Sequence, residues 1–178
     1  MVSVLTRIPI SLDNMSLKQY RYLMAALLIV WMLVIFMFSA QNSTVSSSVS
    51  EGFSYRLFSF INPDFKTMSA EEQATFLESI MTPIRKLAHF TLYFILGFIA
   101  SGLFVTIKNR GMLLKSAVSW GVCVLYAVSD EIHQYFVPGR ACAAFDVFID
   151  SLGAGLAVAL FAVAICVISP LKKYKKFQ

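Results

Sequence analysis

This 178-residue sequence predicts an all-α membrane protein with four transmembrane helices. Three observations carry that prediction. The chain is 58% hydrophobic and 14% charged, with a mean hydropathy of +0.71, well above an ordinary soluble domain. Its apolar residues gather into four stretches, each near the roughly 20 residues that cross a bilayer core. Lysine and arginine crowd alternate gaps between those stretches, the asymmetry that sets membrane topology.

The first span covers residues 22–40 and reads as an uncleaved anchor. Its apolar run exceeds the 7–15 residues of a signal peptide, and Phe38 is too large for the −3 position of a cut after Ala40. The connection 41–82 predicts two short amphipathic helices over the outer membrane surface, covering the bundle. Val49, Phe53, Leu57 and Phe60/Ile61 repeat at helical spacing in the first. In the second, Ser69 and Glu72 form a capping box ahead of a stripe of Phe76, Leu77, Ile80 and Met81.

The second span, 83–107, is expected to start with Thr82 as N-cap and Pro83 in the first helical position. The third, 112–135, is ended by Pro138-Gly139; the fourth, 146–169, by Pro170 and a basic tail. Residues 1–21 form an N-terminal tail, 22–169 a single membrane domain and 170–178 a C-terminal tail.

Orientation follows from charge. Both tails, the connection after the second span and Lys115 just beyond it hold 10 of the 15 Lys and Arg residues and one of the 10 acids, Asp13. With four spans these stretches share one side, which the positive-inside rule makes cytoplasmic. The chain is then expected in the cell membrane with both termini inside. The net charge of +5 lies in short juxtamembrane clusters that suit membrane lipids, with no nucleic-acid motif among them. The three cysteines, Cys123, Cys142 and Cys166, have no metal-like spacing.

Seven ionisable residues converge on the opposite, outer end: Lys86, His89, Asp130, Glu131, Arg140, Asp146 and Asp150. Charge beside hydrocarbon is costly and turns toward the protein interior. Lys86, His89 and Tyr93 fall on one helix face, Asp130 and Gln134 on another, and Asp146 and Asp150 on a third, which continues through Gly153 and Ala157. Small residues there permit close helix contact. Arg85 and Lys86 at a helix start, and Asp130 and Glu131 near a helix end, each oppose the helix dipole and would neutralise one another if the two ends meet. His89, Asp130 and Glu131 are candidate acid–base groups; Lys86, Tyr93, Gln134, Arg140, Asp146 and Asp150 are candidate ligand contacts. The competing reading is an ion-pair network that only locks the bundle. A metal held by His89, Asp130, Glu131 and an aspartate is conceivable, but without an HExxH-like pair the sequence assigns no metal and no cofactor. His133 lies off the Asp130/Gln134 line and is not placed in the site.

Three segments, Arg85-Lys-Leu-Ala-His-Phe-Thr-Leu-Tyr93, Ser129-Asp-Glu-Ile-His-Gln-Tyr-Phe-Val-Pro-Gly-Arg140 and Asp146-Val-Phe-Ile-Asp-Ser-Leu-Gly153, resemble the VanZ-like family of bacterial membrane proteins. The likeness extends over residues 22–168, departing mainly in Asp150, where Asn is frequent. It implies a small multi-spanning envelope protein, the founding member being tied to reduced susceptibility to the glycopeptide teicoplanin, and supplies no accepted reaction. Three functions are open: binding or modifying an anionic lipid-linked or cell-wall precursor, intramembrane acid–base catalysis, or ion-linked transport. Transport is disfavoured because polar residues occupy one end of the bundle only. Topology is testable by cysteine labelling in intact cells: a membrane-impermeant reagent should modify Ser47→Cys and spare Lys175→Cys, and the reverse pattern would reject the orientation.

Overall fold

The computed structural model describes residues 15–40, 43–138 and 143–174. Among them, helices run over Leu17–Ser39 (α1), Ser43–Ile61 (α2), Ala70–Phe104 (α3), Met112–Tyr135 (α4) and Ala144–Tyr174 (α5), with a 3-10 turn at Pro63–Thr67 and no strand. Four of them, α1, α3, α4 and α5, are long and apolar enough to cross a membrane. The all-α, four-span class therefore holds, and α2 lies in the connection between the first and second spans.

Three boundaries differ from the sequence reading. The capping box at Ser69 and Glu72 is present, but the helix it starts does not stop before the membrane. It continues through Pro83, so Thr82 is not an N-cap and Lys86 lies well inside α3. At the other end α5 passes Pro170 and reaches Tyr174. A proline removes the hydrogen bond to the carbonyl four residues earlier. Those carbonyls belong to Ser79 and Cys166, both exposed residues of their helices. Finally, α1 starts earlier than expected, with Ser16 and Gln19 forming a capping box of their own. The dipole penalty expected for Lys86 accordingly disappears, and the true first turn of α3 carries Glu71 and Glu72, which the dipole favours.

The basic end of the bundle is tied off by hydrogen bonds to helix-end carbonyls. Arg21 of α1 donates from Nε to the Thr106 hydroxyl at 2.9 Å, and Lys115 of α4 donates to the Val105 carbonyl at 2.8 Å. Tyr20 reaches the Gly102 carbonyl at 3.1 Å. These cations meet the C-terminal end of α3, where unpaired carbonyls and the dipole both attract positive charge. Asn109 takes a left-handed φ of 56° in the turn that follows, a conformation asparagine tolerates.

The core is assembled around α3. Tyr93, Leu96, Ile99 and Ala100 pack against Leu28 and Ile35 of α1, Cys123 and Ala127 of α4, and Ala154 of α5. Outward faces stay apolar, with Leu23, Val30, Leu125, Leu156 and Val163 all exposed, as lipid contact requires. Interhelical hydrogen bonds join the layers: Trp31 to the Leu92 carbonyl, Tyr126 to that of Met32 and Trp120 to that of Ser151. Beyond the bundle, α2 and the outer part of α3 close on a second, aromatic core in which fully buried Phe65 contacts Tyr55, Phe58 and Phe76. Gln73 secures it by donating to the Phe65 and Met68 carbonyls.

Contact between α3 and α5 is closest at two glycines. A Cβ on Gly97 would lie 2.6 Å from the Ala154 carbonyl oxygen, and one on Gly153 would strike the Phe90 carbonyl. Both obstacles are backbone, so neither can swing aside. Gly153→Ala should lower the melting temperature in detergent by the equivalent of about 1–3 kcal/mol, the usual cost of overpacking. An unchanged melting temperature would show that the two helices can part freely.

Candidate functional site

At the other end from Arg21 and Lys115, four helices bring polar side chains together. The outermost pair is Lys86 of α3 and Asp146 in the first turn of α5, with Nζ to Oδ1 at 2.6 Å. Both side chains are about one-third exposed, at 30% and 32%. The Lys86 ammonium also lies 4.6 Å from the centre of the Phe145 ring, a cation–π contact. One turn deeper, His89 Nδ1 stands 3.8 Å from Asp150 Oδ2. Asp130 of α4 and Asp150 of α5 form the floor, each 3% exposed.

Asp130 is held on one side only. Its Oδ2 accepts from the Ser39 hydroxyl at 2.7 Å and from Gln134 Nε2 at 3.3 Å, while Gln134 also reaches Ser39 Oγ at 3.4 Å. Ser39 ends α1, so this triad joins the first and third spans at the depth of the floor. The second oxygen, Oδ1, has no hydrogen-bond partner among the described residues, and neither does Asp150 Oδ1. The fully buried Tyr93 hydroxyl lies near both carboxylates without a well-formed hydrogen bond among the described residues. A buried polar atom without a partner costs about 1–3 kcal/mol, more when charged, so three facing one spot are an unusual expense of stability.

Glu131 is buried as well but turns elsewhere, its Oε1 accepting the Ala143 N–H at 2.5 Å. That bond anchors the end of α4 to the start of α5, where a helix N-terminus favours negative charge. His133 stacks on Phe36 with ring centroids 4.5 Å apart, away from the floor. Arg140 lies outside the described residues. The arrangement thus unites Lys86, His89, Tyr93, Asp130, Gln134, Asp146 and Asp150 and sets Glu131 beside them as a brace. Ser39 was not among the candidate contacts: a serine at the end of an apolar span carries no spacing signal that ties it to a site.

The fold defines a small, four-span helical membrane protein with a carboxylate–imidazole cluster buried at one end of its bundle. The chain belongs to the VanZ/LLP1 family, whose sequence model matches residues 24–166. No curated protein and no solved structure matches it.

Burial separates the two kinds of contact. The Lys86–Asp146 pair is accessible enough for its coupling to be about 1 kcal/mol or less. Loss of the Ser39 hydroxyl withdraws a donor from a buried carboxylate and should cost about 1.5–3 kcal/mol. Melting curves in detergent should therefore rank Ser39→Ala as clearly less stable than Lys86→Met. A double-mutant cycle of Lys86→Met with Asp146→Asn should reveal only weak coupling; the opposite ranking would mean that the rim, and not the floor, holds the bundle.

Proposed function

We propose that this chain engages an anionic, lipid-linked cell-envelope molecule at the outer face of the membrane, its anionic group meeting the Lys86 ammonium at the rim of the site. The exposure gradient carries the reading: Lys86 and Asp146 are accessible at the rim, His89 is 17% exposed between, and Asp130 and Asp150 are buried below. Lys86 offers an ammonium to a phosphate or carboxylate, with Phe145 exposed beside it as an apolar surface for the adjoining lipid. Envelope precursors are the class on which glycopeptides act, and the founding VanZ protein's tie to teicoplanin makes that drug the first phenotype to examine.

The nearness of His89 to Asp150 favours a second reading of the same site, in which the imidazole transfers protons to the bound molecule. Binding and catalysis differ in what leaves the site: a captured lipid is released unchanged, a substrate is not.

Native purification followed by mass spectrometry of retained lipids tests the proposal. Wild type should carry a specific phospho- or glycolipid that Lys86→Ala loses at least tenfold. In a strain lacking the native copy, His89→Gln and Asp130→Asn should fail to restore teicoplanin tolerance while expressing normally. Identical lipid complements in wild type and Lys86→Ala, with full complementation by both floor variants, would leave the cluster a structural lock.

A further inference from the structure

The floor of the site has a property that anion binding leaves unexplained. Asp130 and Asp150 are both 3% exposed, come from different helices and face one another across His89. Each keeps one oxygen without a partner among the described residues, and the buried Tyr93 hydroxyl beside them is also unpartnered. Two buried carboxylates that each keep an unpartnered oxygen call for compensating charge in a low-dielectric interior, and Lys86 is paired with Asp146 at the rim. The His89–Asp150 separation of 3.8 Å is too long for a hydrogen bond. It is the spacing of two ligands sharing an ion, since bonds of about 2.0–2.2 Å put neighbouring ligand atoms some 3–4 Å apart. One donor atom from each of His89, Asp130 and Asp150 falls within 4.8 Å of the others, so a small contraction closes all three around one centre.

The surroundings of Asp130 match the pattern of a metal ligand. Its Oδ2 is oriented by Ser39 and Gln134, leaving Oδ1 buried without a partner among the described residues. Ligating carboxylates are commonly fixed in this way by outer hydrogen bonds, which hold the ligand in place before the ion arrives. Charge balances too: two carboxylates and a neutral imidazole neutralise a divalent cation.

We propose that His89, Asp130 and Asp150 form a binding site for one first-row divalent cation. A donor set of one nitrogen and two carboxylate oxygens suits zinc or manganese better than calcium, which prefers oxygen alone, or copper(I), which prefers sulfur. Three protein ligands leave the ion open positions toward the rim. A phosphate or carboxylate held by Lys86 would enter there, a role for the ion that rests on the reading given above, whereas ion binding itself does not.

The test uses the full-length protein in detergent, stripped with chelator, dialysed against Zn2+ or Mn2+, and assayed by elemental mass spectrometry with no lipid added. Wild type should take up about one ion per chain and melt at a higher temperature than the stripped form. His89→Gln, Asp130→Asn and Asp150→Asn should each weaken binding at least tenfold, and Ser39→Ala, which acts through Asp130, about 10–100-fold. Glu78→Gln, on the exposed outer surface, should bind as wild type does. Co2+ provides a readout independent of stability: its visible spectrum should report a nitrogen ligand in wild type that disappears in folded His89→Gln. Uptake well below one ion per chain with no thermal shift, or equal uptake by wild type and the three ligand variants, would overturn the site and leave the aspartates sharing protons. Lipid capture without metal uptake would sink the ion site alone; metal uptake without lipid capture would sink the lipid reading alone.

Discussion

The structure depends on how closely α3 and α5 approach. Backbone meets backbone where Gly153 lies on the Phe90 carbonyl and Gly97 on Ala154. In a bilayer the hydrophobic effect gives helices little reason to associate, so shape and hydrogen bonding must do it. Small residues supply the shape. Because Phe90 adjoins His89 and Gly153 follows one turn after Asp150, the same contact sets the distance between imidazole and carboxylate. A wider interface would part Lys86 from Asp146 and His89 from Asp150 together.

Polar floor and apolar core support one another. Tyr93 belongs to both: its ring packs in the core while its hydroxyl lies near the carboxylates. Ser39 and Gln134 tie Asp130 to the end of α1, and Glu131 braces α5 through Ala143. The ion-pair lock considered from sequence and the binding site are therefore not exclusive. Lys86–Asp146 and Glu131–Ala143 behave as fasteners, whereas Asp130 and Asp150 keep oxygens that no fastener needs.

Much of this was legible in the chain before any coordinates. Apolar length reveals the four spans, and helical spacing puts Lys86, His89 and Tyr93 on one face and Asp146, Asp150 and Gly153 on another. What sequence could not show was continuity. Pro83 reads locally as a helix start, yet the cap at Ser69 and the packing of Leu77 and Tyr93 on either side carry α3 across it. Spacing gathered His89, Asp130 and Asp150 into one cluster with Glu131 but could not single them out from it, because the three come from three helices. Ser39 was hidden for the same reason, its meaning residing in Asp130, 91 positions away.

The unbroken length of α3 has a consequence for access. At 1.5 Å per residue its 35 residues extend about 52 Å, whereas the hydrocarbon core is about 30 Å thick. A post some 20 Å long therefore projects beyond the hydrocarbon, thickened by α2 and the aromatic cluster around Phe65. On the reading proposed above, such a post would obstruct a bulky soluble body coming from the aqueous side more than a lipid reaching the rim sideways from the adjoining leaflet.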